Sequence, residues 1–504
     1  MNIRYWLVYS IKQMIGKHKF KKPTTVNTPD GSIGMFTTKK YDKEKTNSQL
    51  NDIGPGMCLA KWKQVTLHLG SGHTHSCHHP RTHKIPISEI AKSPSALHNT
   101  SIKKIARKQM LEGDRPSECQ YCWNVEDSAP KDTIVYSDRT LKSAEPWALP
   151  FFDEVMSAGS EQNINPSYLE VSFSNVCNFK CSYCSPDVSS KWMEEIKQHG
   201  PYPTSINYNT LEWVKHQNKM PIPEREDNPY IDAFWAWWPE LYPTLHTFRI
   251  TGGEPLMSKH TFKLLEYVLE HPNPNLELGI NSNFCVEDKL MDRFIELIKK
   301  IKEQNIVKEI IVYTSCEAQG PQAEYIRFGL NYNKWLDSCD KFLSAIPNPK
   351  LTIMSTYNLL SVPSYQLFLE DILNLNIKFG KISNMHPVNI DIPYLNNPPH
   401  QVVGLLTPDF IEKIKDQIAF MNSHHANVSP NYIGFHSSEI QKLERLLAVF
   451  EPKILGNDPT KTRWRKDFAI FVDEHDRRRG TDFLKTFPEL TKFYNLCKQS
   501  PGKQ

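Results

Sequence analysis

Residues 171–192, VSFSNVCNFKCSYCSPDVSSKW, place Cys177, Cys181 and Cys184 within eight residues, directly after a run that reads as a buried strand. Thiolates at i, i+4 and i+7 on one short loop can hold three corners of an iron–sulfur cubane, because the intervening residues let the backbone curl around a compact cluster. The fourth iron then stays open to another ligand. A tetrahedral zinc ion needs a fourth protein ligand, and the residues just after Cys184, SPDVSSKW, contain neither Cys nor His. A zinc site completed from elsewhere in the chain and three unconnected buried thiols are the readings that the residues alone leave open.

Outward from this loop, short apolar runs alternate with helical stretches, the βα pattern of a parallel sheet. The strand candidates are SYLEVSF (167–173), LHTFRIT (245–251), LELGINS (276–282), KEIIVYTS (308–315), PKLTIMST (349–356) and HPVNIDIP (386–393). The expected fold is therefore α/β, a partial, six-stranded (β/α)6 TIM-like barrel over 151–404, with an insertion at 186–244 that ends in the aromatic FWAWWPELYP. The FWAWWPE aromatics are expected to form insertion core. Residues 405–504 read as a helical extension, from TPDFIEKIKDQIAFMN and SSEIQKLERLLAVFEP to the last residues, and DRRRG (476–480) within it reads as a solvated charge run or docking segment. Upstream, residues 1–20 form a candidate amphipathic helix, 21–50 a polar Lys/Thr-rich flexible arm, and 51–150 a small Cys-rich module with a strand-like KWKQVTLHLG and a helical SIKKIARKQMLEG.

Composition narrows the class. A chain of 504 residues accommodates an enzyme domain plus appendages. Sixty basic against 56 acidic residues leave a net charge of +4, without the field of a dedicated nucleic-acid binder. The apolar run YWLVYSI (5–11) is far shorter than a spanning helix needs, and no small-residue cleavage site follows it, so a cytoplasmic location with no membrane partner is expected. Seven of the eleven cysteines cluster at 58, 77, 119, 122, 177, 181 and 184, which without an export signal points to metal rather than disulfides. Cys285, Cys316, Cys339 and Cys497 are most simply buried or free thiols.

The CxxxCxxC loop, with the aromatic Tyr183 before its last cysteine, resembles the cluster loop of the radical S-adenosylmethionine (SAM) superfamily, whose members leave one iron open to the amino and carboxylate groups of SAM. Further landmarks follow in order. RITGGEPLM supplies Gly252, Gly253, Glu254 and Pro255 at the end of the second strand candidate, similar to the family's segment that contacts the SAM ammonium. Asn281 and Asn283 of NSNF resemble positions that meet the ribose, and Ser315 and Glu317 of TSCEAQG resemble further SAM contacts. Arg327 of EYIRFGLNYNKW resembles an arginine that holds the SAM carboxylate in maturase-type members. Read without the family, GGEP is a loop turn, the Asn and Ser residues are turn caps, and Arg327 is half of a surface ion pair.

Cys58, Cys77, Cys119 and Cys122 are separated by 18, 41 and 2 residues and suffice to close a second metal site. With MLEGDRPSECQYCWNVED and SDRTLKS, they resemble the twitch-type auxiliary-cluster region, a shortened relative of the SPASM domain; here the region precedes the barrel, and Cys77 is followed by His78 where many relatives carry a second cysteine. This implies a second 4Fe–4S centre, with structural zinc as the alternative. The nearby histidines are expected to be solvated. The resemblance as a whole implies a radical SAM enzyme that cleaves SAM reductively to a 5'-deoxyadenosyl radical acting on a substrate, a peptide or protein, with an electron donor such as flavodoxin or ferredoxin. The alternative class is a non-catalytic, metal-stapled (Zn or Fe–S) binding module.

Overall fold

The alternation of apolar and polar residues in the expected strands sorts them onto two faces of one sheet. In strand β4 (Tyr168–Ser172) Leu169 and Val171 are buried, while Tyr168, Glu170 and Ser172 on the opposite face are half-buried. The computed structural model describes residues 41–130, 133–206, 209–383, 386–428 and 433–500. The expected helix at residues 1–20 lies outside them.

The sheet has nine strands in the order β11-β10-β8-β7-β6-β4-β1-β2-β3. All six strand candidates are present: β4, β6 (Thr247–Thr251), β7 (Asn273–Asn281), β8 (Val307–Ser315), β10 (Leu351–Met354) and β11 (Val388–Asp391), each parallel to its neighbour. Their register aligns Ser172 with Thr251 and Asn281 with Tyr313. β1 (Gln64–His68), the strand-like run upstream, extends the same sheet as a seventh parallel strand beside β4. β2 (His73–His75) and β3 (His83–Lys84) add an antiparallel edge. The hydrogen-bonded order is an open row ending in β3 and β11.

Before the sheet lies helix α1 (Lys43–Ile53), where a flexible arm is expected; Asp42 caps it by accepting from the Glu44 and Lys45 amides, and Leu50 is buried. The Cys-rich region contributes α2 (Ser101–Leu111), α3 (Gln120–Asp127) and α4 (Asp138–Ser143). The insertion between β4 and β6 holds α5 (Ser190–His199) and α6 (Pro229–Leu241). Asn228 caps α6 and Pro229 opens it, which sets its start; Phe234, Trp237 and Trp238 are buried in the main core with the apolar face of the sheet. The connections from β6 through β11 carry α7 (Lys259–Glu270), α8 (Asp288–Glu303), α9 (Gly320–Ile326), the short strand β9 (Arg327–Phe328), α10 (Tyr332–Ala345) and α11 (Tyr365–Ser383).

The C-terminal region comprises α12 (Asp409–Ser423), α13 (Ser437–Leu455), α14 (Thr460–Arg479) and α15 (Thr491–Gln499). None of the helices among the described residues is long and apolar enough to cross a membrane. The DRRRG run is only partly solvated: Arg477 is 58% exposed, whereas the side chains of Arg478 and Arg479 are 1% and 0% exposed. Arg479 forks onto Glu195 of α5, with Nε and Nη2 at 3.0 and 3.1 Å from the carboxylate oxygens, and donates from Nη1 to the Lys180 carbonyl at 2.7 Å. Arg478 donates to the Gly200 and Pro201 carbonyls, and Gly480, in the left-handed region at φ 65°, ends the helix. The charge run is thus the clasp between the C-terminal helices and the insertion.

Replacing Arg479 with Met should destabilise the protein by about 3 kcal/mol, because Glu195 keeps only Lys180 as a cationic partner in a buried setting. Adding Glu195→Gln should recover part of that loss. Guanidinium unfolding of the three proteins measures both effects, and equal midpoints for Arg479→Met and the parent would show that the clasp adds no stability.

Candidate functional site

The cysteine loop leaves the carboxyl end of β4 and is held by every neighbour it meets. Its β5 segment (Lys180–Cys181) pairs antiparallel with β9, and the Ser182 amide donates to the Ile326 carbonyl. Trp192 Nε1 donates to the Cys181 carbonyl at 2.7 Å, and Gln401 brackets Ser182, donating to its carbonyl and accepting from its hydroxyl. Cys177 and Cys181 are buried and Cys184 half-buried. Cys184 shares a thiol–thiol hydrogen bond with Cys181, which lowers the Cys181 pKa, aided by Arg327, and raises that of Cys184. Burial pushes Cys177 up to about 12.

Arg327, placed by β9 opposite Cys181, does not lie on the surface. Its Nε and Nη2 donate to Glu317 Oε2 at 2.8 and 2.6 Å, Nη2 also contacts the Tyr183 hydroxyl at 2.6 Å, and Nη1 faces the Cys181 sulfur at 3.8 Å. The Tyr183 hydroxyl donates to Glu317 Oε1 at 3.1 Å. Three residues expected to contact SAM independently therefore form one network against Cys181, with Glu317 and Arg327 buried and Tyr183 half-buried. Burial raises the Glu317 pKa while the guanidinium opposes it.

Gly252 and Gly253 bring the end of β6 against the cysteine loop. A Cβ on Gly253 would stand 2.3 Å from the Val176 carbonyl oxygen, and Gly252 adopts φ 127° with its missing Cβ 2.7 Å from Ser172 Oγ. Pro255 follows, buried in the turn Pro255–Met257. Glu254 is itself buried, and its carboxylate accepts from the Leu256 amide, the Ser282 hydroxyl and the Asn283 amide at 3.0, 2.8 and 2.6 Å. It joins the ends of β6 and β7 and has three protein donors where a SAM ammonium was expected. Asn283 donates to Asn178 of the cysteine loop at 2.7 Å and accepts from the Cys285 amide. Asn281, at the end of β7, has a buried Oδ1 with no hydrogen-bond partner among the described residues. Ser315 is half-buried at the end of β8.

The second cysteine set converges as well. Cys58 precedes β1, the β1–β2 hairpin turns the chain back to Cys77, and α2 returns it to Cys119 and Cys122 at the start of α3. Arg107 of α2 fixes that return by donating to the Lys61 carbonyl and to Asn99. All four cysteines line one cavity, with Lys61 and Arg139 in its wall. Arg139 is locked by Glu126 at 2.9 Å, the Met57 carbonyl and Asn51. Burial raises Cys58 and pushes Cys119 and Cys122 up to about 12. Among the described residues, three potential metal donors lie all within 4.8 Å of one another only at His78, His79 and Asp138, so neither any three of these four sulfurs nor those of Cys177, Cys181 and Cys184 are that close together.

Sequence patterns missed the outer supports of the first loop: Trp192, Glu195, Gln401 and Arg479. Only the charge run carried any signal of them.

No family model matches this chain, and no curated protein does. A solved structure described as "Native anSMEcpe with bound AdoMet" aligns over 65% of this chain and 97% of that chain, at 11% identity and a TM-score of 0.30. A superposition that loose defines neither the fold nor the function of this chain.

Two outcomes follow from the geometry. Gly253→Ala should separate the β6 turn from the cysteine loop and abolish retention of any metal at Cys177, Cys181 and Cys184, read by metal analysis; full retention would show that the loop can yield. Burial raises the Glu254 pKa to about 7 from an ordinary 4.5, so its contribution to stability is greatest below pH 4.5 and is lost as pH rises through 7. The stability advantage of the parent over Glu254→Gln should therefore shrink by up to about 3 kcal/mol between pH 4.5 and 7, and a pH-independent difference in unfolding free energy would contradict the assignment.

Proposed function

We propose that this chain is a radical SAM enzyme, with a 4Fe–4S cluster held by Cys177, Cys181 and Cys184 and SAM bound at its open iron, acting on a peptide or protein. The feature that carries the reading is a loop of three thiols, Cys181 and Cys184 hydrogen-bonded to each other and Cys177 four residues before Cys181, with neither Cys nor His in the residues just after Cys184 and with the Arg327–Glu317–Tyr183 network set against Cys181. A purely structural site would be completed by the protein. When bound, the cluster and SAM would supply a 5'-deoxyadenosyl radical that removes a hydrogen atom from the substrate.

The residues fit that group. Arg327 directs an N–H at the Cys181 sulfur, which favours the thiolate that a cluster requires. Glu317 and Tyr183 hold the guanidinium in place, so Arg327 acts on the loop first and on a SAM carboxylate only through donors that remain. Asn281 offers a fixed acceptor at the carboxyl edge of the sheet, where a parallel α/β sheet presents its ligands. Gly252 and Gly253 let the β6 turn pack directly against the cysteine loop. The strand order is compatible with a partial barrel whose opening these residues line.

The cavity of Cys58, Cys77, Cys119 and Cys122 fits an auxiliary 4Fe–4S cluster of twitch type better than zinc. Tetrahedral zinc, with bonds of about 2.3 Å, needs sulfurs about 3.8 Å apart, and no three of these sulfurs lie within 4.8 Å of one another. A cubane carries its ligands on four separate irons and spreads them wider. An electron donor of the flavodoxin or ferredoxin type and a cytoplasmic location complete the proposal.

Anaerobically prepared protein should contain iron and sulfide at both sites and cleave SAM to 5'-deoxyadenosine on reduction. Cys181→Ala should lose roughly half of the iron and all of this cleavage, since two cubanes share the total. Colourless protein with stoichiometric zinc at both sites would replace the enzyme reading with a metal-stapled binding module.

A further inference from the structure

We propose that His78, His79 and Asp138 form an additional metal-ion site, for a divalent first-row cation of the zinc or cobalt type, beside the four-cysteine cavity and separate from its ligands. The sequence places two adjacent histidines directly after Cys77 and an aspartate 59 residues beyond the second of them, at the start of α4. Folding brings their donor atoms together. Asp138 Oδ2 lies 2.7 Å from His79 Nε2 and 3.8 Å from His78 Nε2, and one donor from each residue falls within 4.8 Å of both others. A tetrahedral ion with bonds of about 2.1 Å needs ligand-to-ligand distances of about 3.4 Å, a value these separations bracket.

The donor set suits the cation. Two imidazoles and a carboxylate match zinc, cobalt, nickel or iron and not magnesium or calcium, which prefer all-oxygen sites. Three protein ligands leave a coordination position for water or an incoming oxygen or nitrogen ligand. The site is also built. The His79 ring stacks on Tyr121 with centroids 3.7 Å apart and planes 9° apart, which fixes its orientation. His78 is 66% exposed and gives a cation its way in.

Lys142 is the competing charge. Its ammonium stands 3.4 Å from Asp138 Oδ2 and 3.1 Å from His78 Nδ1, the place of a counter-ion. A divalent cation must displace it, and removal of Lys142 should therefore tighten binding. His79, Asp138 and Lys142 also line the cavity of the four cysteines, so an ion here would sit in the wall of that cavity without taking a sulfur ligand.

The test uses the full-length protein with its cysteine sites already loaded with the metal they retain on isolation, and is independent of what that metal is. Zinc chloride and cobalt chloride are titrated calorimetrically, and the cobalt form is measured by X-ray absorption. One further equivalent should bind, with a nitrogen and oxygen shell at about 2.1 Å and no sulfur shell at about 2.3 Å. His78→Ala, an exposed change that leaves the fold intact, and Asp138→Asn should each weaken binding at least tenfold, and Lys142→Met should strengthen it. Absence of the further equivalent, a sulfur shell, or equal affinity in the parent, His78→Ala and Asp138→Asn would overturn the proposal.

Discussion

The buried ion pair of Arg327 and Glu317 is the constraint around which the candidate site is arranged. Withdrawing a guanidinium and a carboxylate from water costs several kcal/mol for each ion, and the cost is offset only where geometry is good and the remaining donors and acceptors are met. Glu317 is met by two guanidinium N–H groups and the Tyr183 hydroxyl, and Arg327 by Glu317, Tyr183 and the Cys181 sulfur. The pair therefore stays buried only while the cysteine loop is folded against β9. The cysteine loop and its electrostatic support are one cooperative unit, in which Cys181 is hydrogen-bonded to Cys184 and faced by Arg327.

A second clasp works from the opposite side. Glu195 on the insertion helix accepts from Arg479, Lys180 and Tyr202, and Arg479 in turn holds the Lys180 carbonyl inside the cysteine loop. The guanidinium also lies over the Trp192 and Phe328 rings, at 4.9 and 5.3 Å from their centroids. Two segments far apart in sequence, an insertion and a C-terminal helix, thus converge on the residue between Phe179 and Cys181. The helical extension has a physical task at the site, although no motif within it announces one.

The Cys-rich region is tied to the sheet rather than appended to it. β1 shares a five-residue parallel register with β4, the strand that ends in the cysteine loop, so Cys58 and Cys77 flank a strand that directly neighbours the first site. Lys61 and Lys63, both buried in the helical turn just before β1, are met by Glu118 and Glu154, which fastens the α3 approach and the connector to the same strand. Relative placement of the two cysteine sets is consequently set by sheet hydrogen bonds and ion pairs, and not by a linker.

Local sequence determined the strands and the proximity of Cys177, Cys181 and Cys184, because period-two alternation and thiols a few residues apart act over distances that the chain itself fixes. It also determined that GGEP, NSNF and TSCEAQG would fall at carboxyl ends of neighbouring strands, since each follows an apolar run directly. Only the tertiary structure decided what their side chains touch. Glu254, Glu317 and Arg327 carry charges that a sequence reads as available to a ligand, yet each is buried with protein partners contributed by residues 10 to 146 positions away or within the same turn. Arg479 shows the same limit from the other direction: DRRRG has the composition of a solvated run, and whether an arginine is solvated depends on a carboxylate 284 residues away being packed against it. Charge pairing at long sequence separation leaves no periodic trace in the chain, so it becomes visible only when the fold brings the partners together.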